Sequence, residues 1–216
     1  MVGFSILFTN FLPLALFAFL YYKGKNSWNK PLGTGTPTTR YGLQMLTSFL
    51  GGFVGSFLTL FLLFLSPAQD SIGKTWGIAA LEELAKGIVP LLWTKKGRAI
   101  SVKHVFFLFL SSALGFSLFE NLLYTFRDST ILFIRSMTSL PLHLSLSGIF
   151  GFACGYSHFR YVSRTIWGFG AATLLHGLYN IGGEYGIGVS LSILSLALGI
   201  GGSLFIRTLS YRERRG

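Results

Sequence analysis

Seven stretches of almost unbroken apolar sequence run along the chain, at about 4–22, 43–65, 72–94, 104–126, 137–159, 165–183 and 187–206. Each is close to the ~20 residues an α-helix needs to cross a bilayer. The apolar character is continuous and not alternating, which argues against the strands of a membrane β-barrel. The pattern therefore predicts an all-α fold, a polytopic membrane helix bundle with seven transmembrane helices in a single domain over residues 1–216. The third run is the weakest, because Glu82, Glu83 and Lys86 interrupt its middle. The last two are separated by a turn expected around Gly182, Gly183 and Glu184. The polar segment 23–40, KGKNSWNKPLGTGTPTTR, is rich in turn formers and has no period, so it reads as a loop. Its Gly33-Thr34-Gly35 is too short for a phosphate-binding loop.

Charge placement orients the bundle. Basic residues gather in alternate connections, as on the cytoplasmic side of membrane proteins. The first connection holds Lys23, Lys25, Lys30 and Arg40, and the third holds Lys95, Lys96, Arg98 and Lys103. The fifth holds Arg160 and Arg164, and the tail holds Arg207, Arg212, Arg214 and Arg215. Together these are 14 of the 18 Lys and Arg residues. The arrangement requires an odd number of spans, with the N-terminus outside and the C-terminus in the cytoplasm. The first run has no basic start and is followed by Lys23 and Lys25, so it reads as a retained helix and not a cleaved signal. Trp76, Trp93 and Trp167 fall near helix ends, where indole rings anchor to the interface.

Composition agrees. Hydrophobic residues make up 51% of the chain and charged residues only 12%, too little polar surface for a soluble domain. The net charge of +11 is spread over short loops. It fits attraction to an anionic cytoplasmic leaflet; nucleic acid would require a basic stripe or a recognition fold. The expected location is the cell membrane, as a multi-pass protein. A single cysteine, Cys154, excludes an internal disulfide and reads as packing. Gly51 with Gly55, and Gly151 with Gly155, have the spacing that lets helices approach closely.

The informative residues are the polar ones inside the runs. On insertion scales, an Asp, Lys or Arg at a helix centre costs about 2.5–3.5 kcal/mol. Glu82, Glu83 and Lys86 must therefore face the bundle interior or a watery cavity. Glu120 and Asn121 lie in the fourth run, His143 in the fifth, and His176 and Asn180 in the sixth. At 1.5 Å per residue, the glutamates of the third run lie ~15 Å from its outer end, and Glu120 ~9 Å from that of the fourth. His143 and His176 fall at similar depth. Four helices running in alternating directions thus place their unusual residues at one level in the outer half of the membrane. Individually, each has a bland reading: a buried His or Asn as interhelical glue, Lys86 as a structural cation, Arg135 as an interfacial anchor. Five such groups at one depth, Glu82, Glu83, Glu120, His143 and His176, point to a catalytic site, with Asn180, Asn121 and Lys86 in support. Either glutamate can reach Lys86 along the helix, and the i,i+4 spacing leans toward Glu82.

The chemistry narrows by type. There is no His-Glu-x-x-His, no Gly-x-Ser-x-Gly and no Cys–His pair. Carboxylates and imidazoles remain, and a glutamate sharing a proton with a histidine can activate water for attack on a carbonyl. No cofactor is expected, although two His and three Glu could also bind zinc.

Four segments carry a family resemblance. Glu82-Glu83-Leu84-Ala85-Lys86 resembles the Glu-Glu-x-x-Lys motif of the PrsW family of membrane proteases. Phe116 through Glu120-Asn121 resembles its Phe-x-x-x-Glu-Asn segment. Arg135 followed by Pro141-Leu142-His143 is similar to the third motif, and His176 through Asn180 to the fourth, His-x-x-x-Asp/Asn. They occur in order, one per helix, within a core of about 72–183. The resemblance implies a glutamic-type intramembrane endopeptidase related to CAAX prenyl proteases and bacteriocin-processing proteins. It implies Glu82 as base, Glu83 as the lysine's partner, and His176 with Asn180 as oxyanion donors. Glu120 stands where those relatives have a His. Between geometry and resemblance, the choice of Glu82 or Glu83 as base stays open. The implied substrate is a single-span membrane protein cut near the outer face, such as an anti-sigma factor in regulated proteolysis. The competing readings are a proton- or ion-coupled transporter, a CAAX-type or bacteriocin-processing protease, and a non-catalytic relative.

Overall fold

A computed structural model describes residues 11–20, 22, 38–65, 72–95, 101–125, 129–157 and 162–210. Among these residues there are seven helices and no strand: α1 (Phe11–Leu20), α2 (Thr38–Leu65), α3 (Ile72–Lys95), α4 (Val102–Thr125), α5 (Ser129–Ser157), α6 (Val162–Tyr185) and α7 (Ile187–Ser210). The expected all-α membrane bundle is what the chain forms. Most of the expected loop 23–40 lies outside the described residues, and Thr38–Arg40 already belong to α2. The start of α5 comes well before the apolar run at 137, because the mixed stretch from Ser129 contains no Gly or Pro to stop a helix. The turn between the last two helices is at Gly186, not at Gly182–Glu184. Gly186 has φ of 128°, a conformation only glycine adopts freely, and its N–H donates to the carbonyl of Gly182.

Among the described residues four helices, α2, α4, α5 and α7, are long and apolar enough to cross a membrane by length and composition alone. In α4, 89% of the most apolar stretch is buried, against 22% in α7, so α4 is the central post and α7 lies at the rim. The α2–α4 seam is the tightest. A side chain on Gly52 would strike the backbone carbonyl of Ser112, and one on Gly115 the backbone carbonyl of Phe49. Ser111 Oγ donates across the same seam to the Met45 carbonyl at 2.7 Å. Gly51 and Gly55 face Val89 and Ala85 of α3, and Gly151 and Gly155 face α4, as their spacing predicts.

The 24-residue helices α3 and α6, each ~36 Å long, are turned inside out. In α3 the apolar Leu81, Leu84, Ile88 and Leu92 are exposed, while Glu83, Lys86 and Thr94 are buried. In α6, Ile166, Trp167 and Leu174 are exposed and His176 is buried. Lipid is the outer solvent, so the polar face has to be the inner one. This explains why hydropathy undervalues both helices. Of the three tryptophans expected at helix ends, Trp167 is exposed. Trp93 instead donates to Thr47 Oγ1 at 3.0 Å, and Trp76 packs on Gly177 beside His176, so both tie helices together.

Candidate active site

The inward faces of α3, α4, α5 and α6 bring the ionisable groups into one connected cluster. Glu83 and Lys86 share the buried face of α3 with Ala79, Gly87 and Pro90. Their ion pair measures 2.5 Å from Nζ to Oε1. Lys86, not Glu82, thus determines which glutamate is neutralised, and its partner is Glu83. The i,i+4 lean toward Glu82 is corrected here. Around the helix both glutamates lie close to the lysine, about 40° away for Glu82 and about 60° for Glu83, so packing against α6 and not helical spacing decides the pairing, and Glu82 turns toward α6. Its Oε2 lies 3.3 Å from His176 Nε2. The other nitrogen of that ring, Nδ1, is 2.7 Å from Glu83 Oε1. His143 is held from both sides, with Nδ1 at 2.9 Å from Lys86 Nζ and Nε2 at 2.9 Å from Glu120 Oε2.

The result is a continuous chain, Glu82–His176–Glu83–Lys86–His143–Glu120, contributed by four helices. The two rings lie 5.2 Å apart between centroids. Phe116 supports the middle of the chain. Its ring sits 5.1 Å beneath Lys86 Nζ and meets the edge of His143 at 5.4 Å. A cation held over an aromatic face, with two further polar partners, is one of the few ways to bury an ammonium. Glu83 and Lys86 are fully enclosed, whereas Glu82 and Glu120 keep 12% and 13% of their side chains accessible. Exposure therefore divides the cluster into an enclosed middle and two accessible ends.

Both ends open into the same cavity of about 560 Å³. Glu82, Glu120, His143, His176 and Asn180 line it, together with Ser139, Tyr124 and Tyr179. Asn121 is buried but is not part of the lining. The side chain of Arg135 lies outside the described residues. Cys154 packs with Val105 and Ala172 in the core, away from the cluster. The wall that sequence reasoning missed is α2, which supplies Phe57, Leu60, Phe61 and Leu63. Phe119 meets the rings of Phe53 and Phe57 edge-on at 4.9 and 5.8 Å and fixes that wall. An apolar residue facing a cavity looks in sequence like one facing lipid, so no signal marked these positions.

The donor set can be tested against a metal ion. One atom each from Glu82, His143 and His176 falls within 4.8 Å of the other two, a spacing one cation could span. Glu82 and His176 fit, since an oxygen and a nitrogen face each other across 3.3 Å. His143 does not fit, because Lys86 engages one of its nitrogens and Glu120 the other. A three-ligand centre does not fit the residues in this arrangement.

Comparison with known proteins gives a family model described as "PrsW family intramembrane metalloprotease", which matches residues 40–203. No curated protein and no solved structure matches the chain.

Proposed function

The chain belongs to the PrsW family of intramembrane proteases, and from that premise we propose that Glu82 and His176 activate water to cleave a membrane-anchored protein within the cavity. The observation that carries this reading is the 3.3 Å approach of Glu82 Oε2 to His176 Nε2 at the lining of a cavity with one apolar wall. A carboxylate accepts from His176 Nδ1 at Glu83, which leaves Nε2 as an acceptor. Two acceptors side by side bind a water through its two hydrogens. Glu82 takes one proton as the water oxygen attacks the peptide carbonyl carbon. The C–N bond then breaks and the proton passes to the leaving nitrogen, giving a carboxyl and an amine end. Asn180 faces the same space and offers an amide N–H₂ to the developing oxyanion. This departs from the resemblance in one respect, since His176 works beside the base and not as an oxyanion donor.

The substrate class we propose is a single-span membrane protein, an anti-sigma factor among them, cut near the outer face. The apolar α2 wall suits a segment that comes from lipid. A transporter reading is less well supported, because among the described residues the chain of ionisable groups begins and ends at one cavity. The test is cleavage of a panel of single-span proteins by the purified protein. Loss of cleavage in Glu82→Gln and His176→Ala, with folding intact, is the expected result. Equal cleavage by these variants would refute the reading.

A further inference from the structure

The two imidazoles of the site are wired in opposite senses by one buried ion pair. Lysine ammonium has three hydrogens and no acceptor. The nitrogen it meets on His143, Nδ1 at 2.9 Å, therefore accepts. A neutral imidazole that accepts at one nitrogen donates at the other. Nε2 of His143 thus carries the hydrogen and directs it to Glu120 Oε2, 2.9 Å away. His176 is the mirror case, because its Nδ1 meets an acceptor, Glu83 Oε1, at 2.7 Å. Glu83 and Lys86, one helical turn apart and fully enclosed, so present an acceptor to one ring and a donor to the other.

We propose that Lys86 is a positioning residue that locks His143 in the Nε2–H tautomer. His143 thereby becomes a hydrogen-bond donor facing the cavity, not a base and not a metal ligand. A peptide carbonyl that replaces Glu120 as the acceptor would be polarised by that N–H. The catalytic consequence rests on the endopeptidase reading; the tautomer does not. Phe116, beneath the ammonium and at the edge of the ring, restrains both partners. The description of the family as metalloproteases makes this assignment consequential, since His143 would otherwise complete the group Glu82, His143 and His176.

The experiment is nitrogen-15 spectroscopy of histidine-labelled protein in detergent, which distinguishes Nδ1–H from Nε2–H. The chain has 4 histidines, and His143→Gln and His176→Gln identify the two signals. The expected result is Nε2–H for His143 and Nδ1–H for His176. In Lys86→Met, His143 loses its single tautomer, His176 keeps its own, and kcat falls about a hundredfold at unchanged KM, the size of losing one oxyanion donor. Lys86→Arg, again a pure donor, retains the His143 tautomer and keeps kcat within about tenfold of the parent. Zinc ions added to the unmodified protein leave the His143 Nε2–H in place. An Nδ1–H signal from His143, its loss on adding zinc, or a Lys86→Met variant with tautomer and rate unchanged would overturn the inference. If Lys86→Met does not fold, the spectra of the unmodified protein and of Lys86→Arg still decide. Failure of the parent protein to cleave any substrate would sink the endopeptidase reading and leave the tautomer result standing.

Discussion

The bundle is held together in two contrasting ways. On the α2–α4 seam, backbone meets backbone at Gly52 and Gly115, and apolar side chains such as Met45, Phe49, Leu108 and Leu114 pack around those contacts. Where α3, α4, α5 and α6 meet, the contact consists of ionisable side chains that pair with one another, although Glu83 Oε2 has no hydrogen-bond partner among the described residues. Close packing and dispersion hold the first region, as is usual between helices in lipid. The second hides net acidic character at a cost that only mutual pairing offsets. The contrast teaches where each kind of change should register. Damage to the seam should lower stability and spare chemistry, whereas damage at the ends of the polar chain should do the reverse.

The sharpest test of that division is Glu82→Gln. Glu82 lines the cavity and is no part of the enclosed ion pair, so cleavage should fall by at least about a thousandfold while the thermal midpoint in detergent stays put. A comparable loss of stability would break the comparison. Glu83→Ala should fail on both counts. It leaves the Lys86 ammonium enclosed without its carboxylate, and breaking a buried pair costs about 3–5 kcal/mol, readable as a lower denaturation midpoint together with lost activity. On the other side of the divide, Gly115→Ala should cost about 1–3 kcal/mol, since a new methyl group meets a carbonyl that cannot rotate away. Its rate per folded molecule should be unchanged. Phe57→Ala is a smaller probe of the α2 wall. KM should rise by about tenfold or less for substrates with bulky apolar side chains, worth about 1.4 kcal/mol, with kcat preserved. Smallest of all is strong chelation, which should leave the rate within about twofold if Glu82 and His176 act on water directly. A chelation-sensitive rate that zinc restores would revise the site's chemistry and leave the fold argument intact.

Much of this was legible in the sequence. The run lengths predict the helices, and depth counted at 1.5 Å per residue puts Glu82, Glu83, Glu120, His143 and His176 at one level. Two things were not legible. Lys86 can reach a glutamate three or four residues back, and only the packing of α3 against α5 and α6 decides that Glu83 is enclosed and Glu82 faces the cavity. Hydropathy also could not separate Phe57 and Phe61, which line the site, from Leu62, which does not. Both sets are apolar on a helix surrounded by apolar solvent.

The wiring of α3 has a consequence for how the protein is made. Glu83 and Lys86 pair within α3 itself, but the imidazoles that complete their surroundings arrive late in synthesis, His143 57 residues after Lys86 and His176 93 residues after Glu83. A nascent chain that has delivered only its first three hydrophobic segments to the translocon therefore carries an acid and an amine with no imidazole to meet them. Stable integration of that segment is expected to improve once the two later ones are present. Nascent chains stalled before residue 143 should release α3 back to water or to a chaperone, and those extended past residue 176 should retain it.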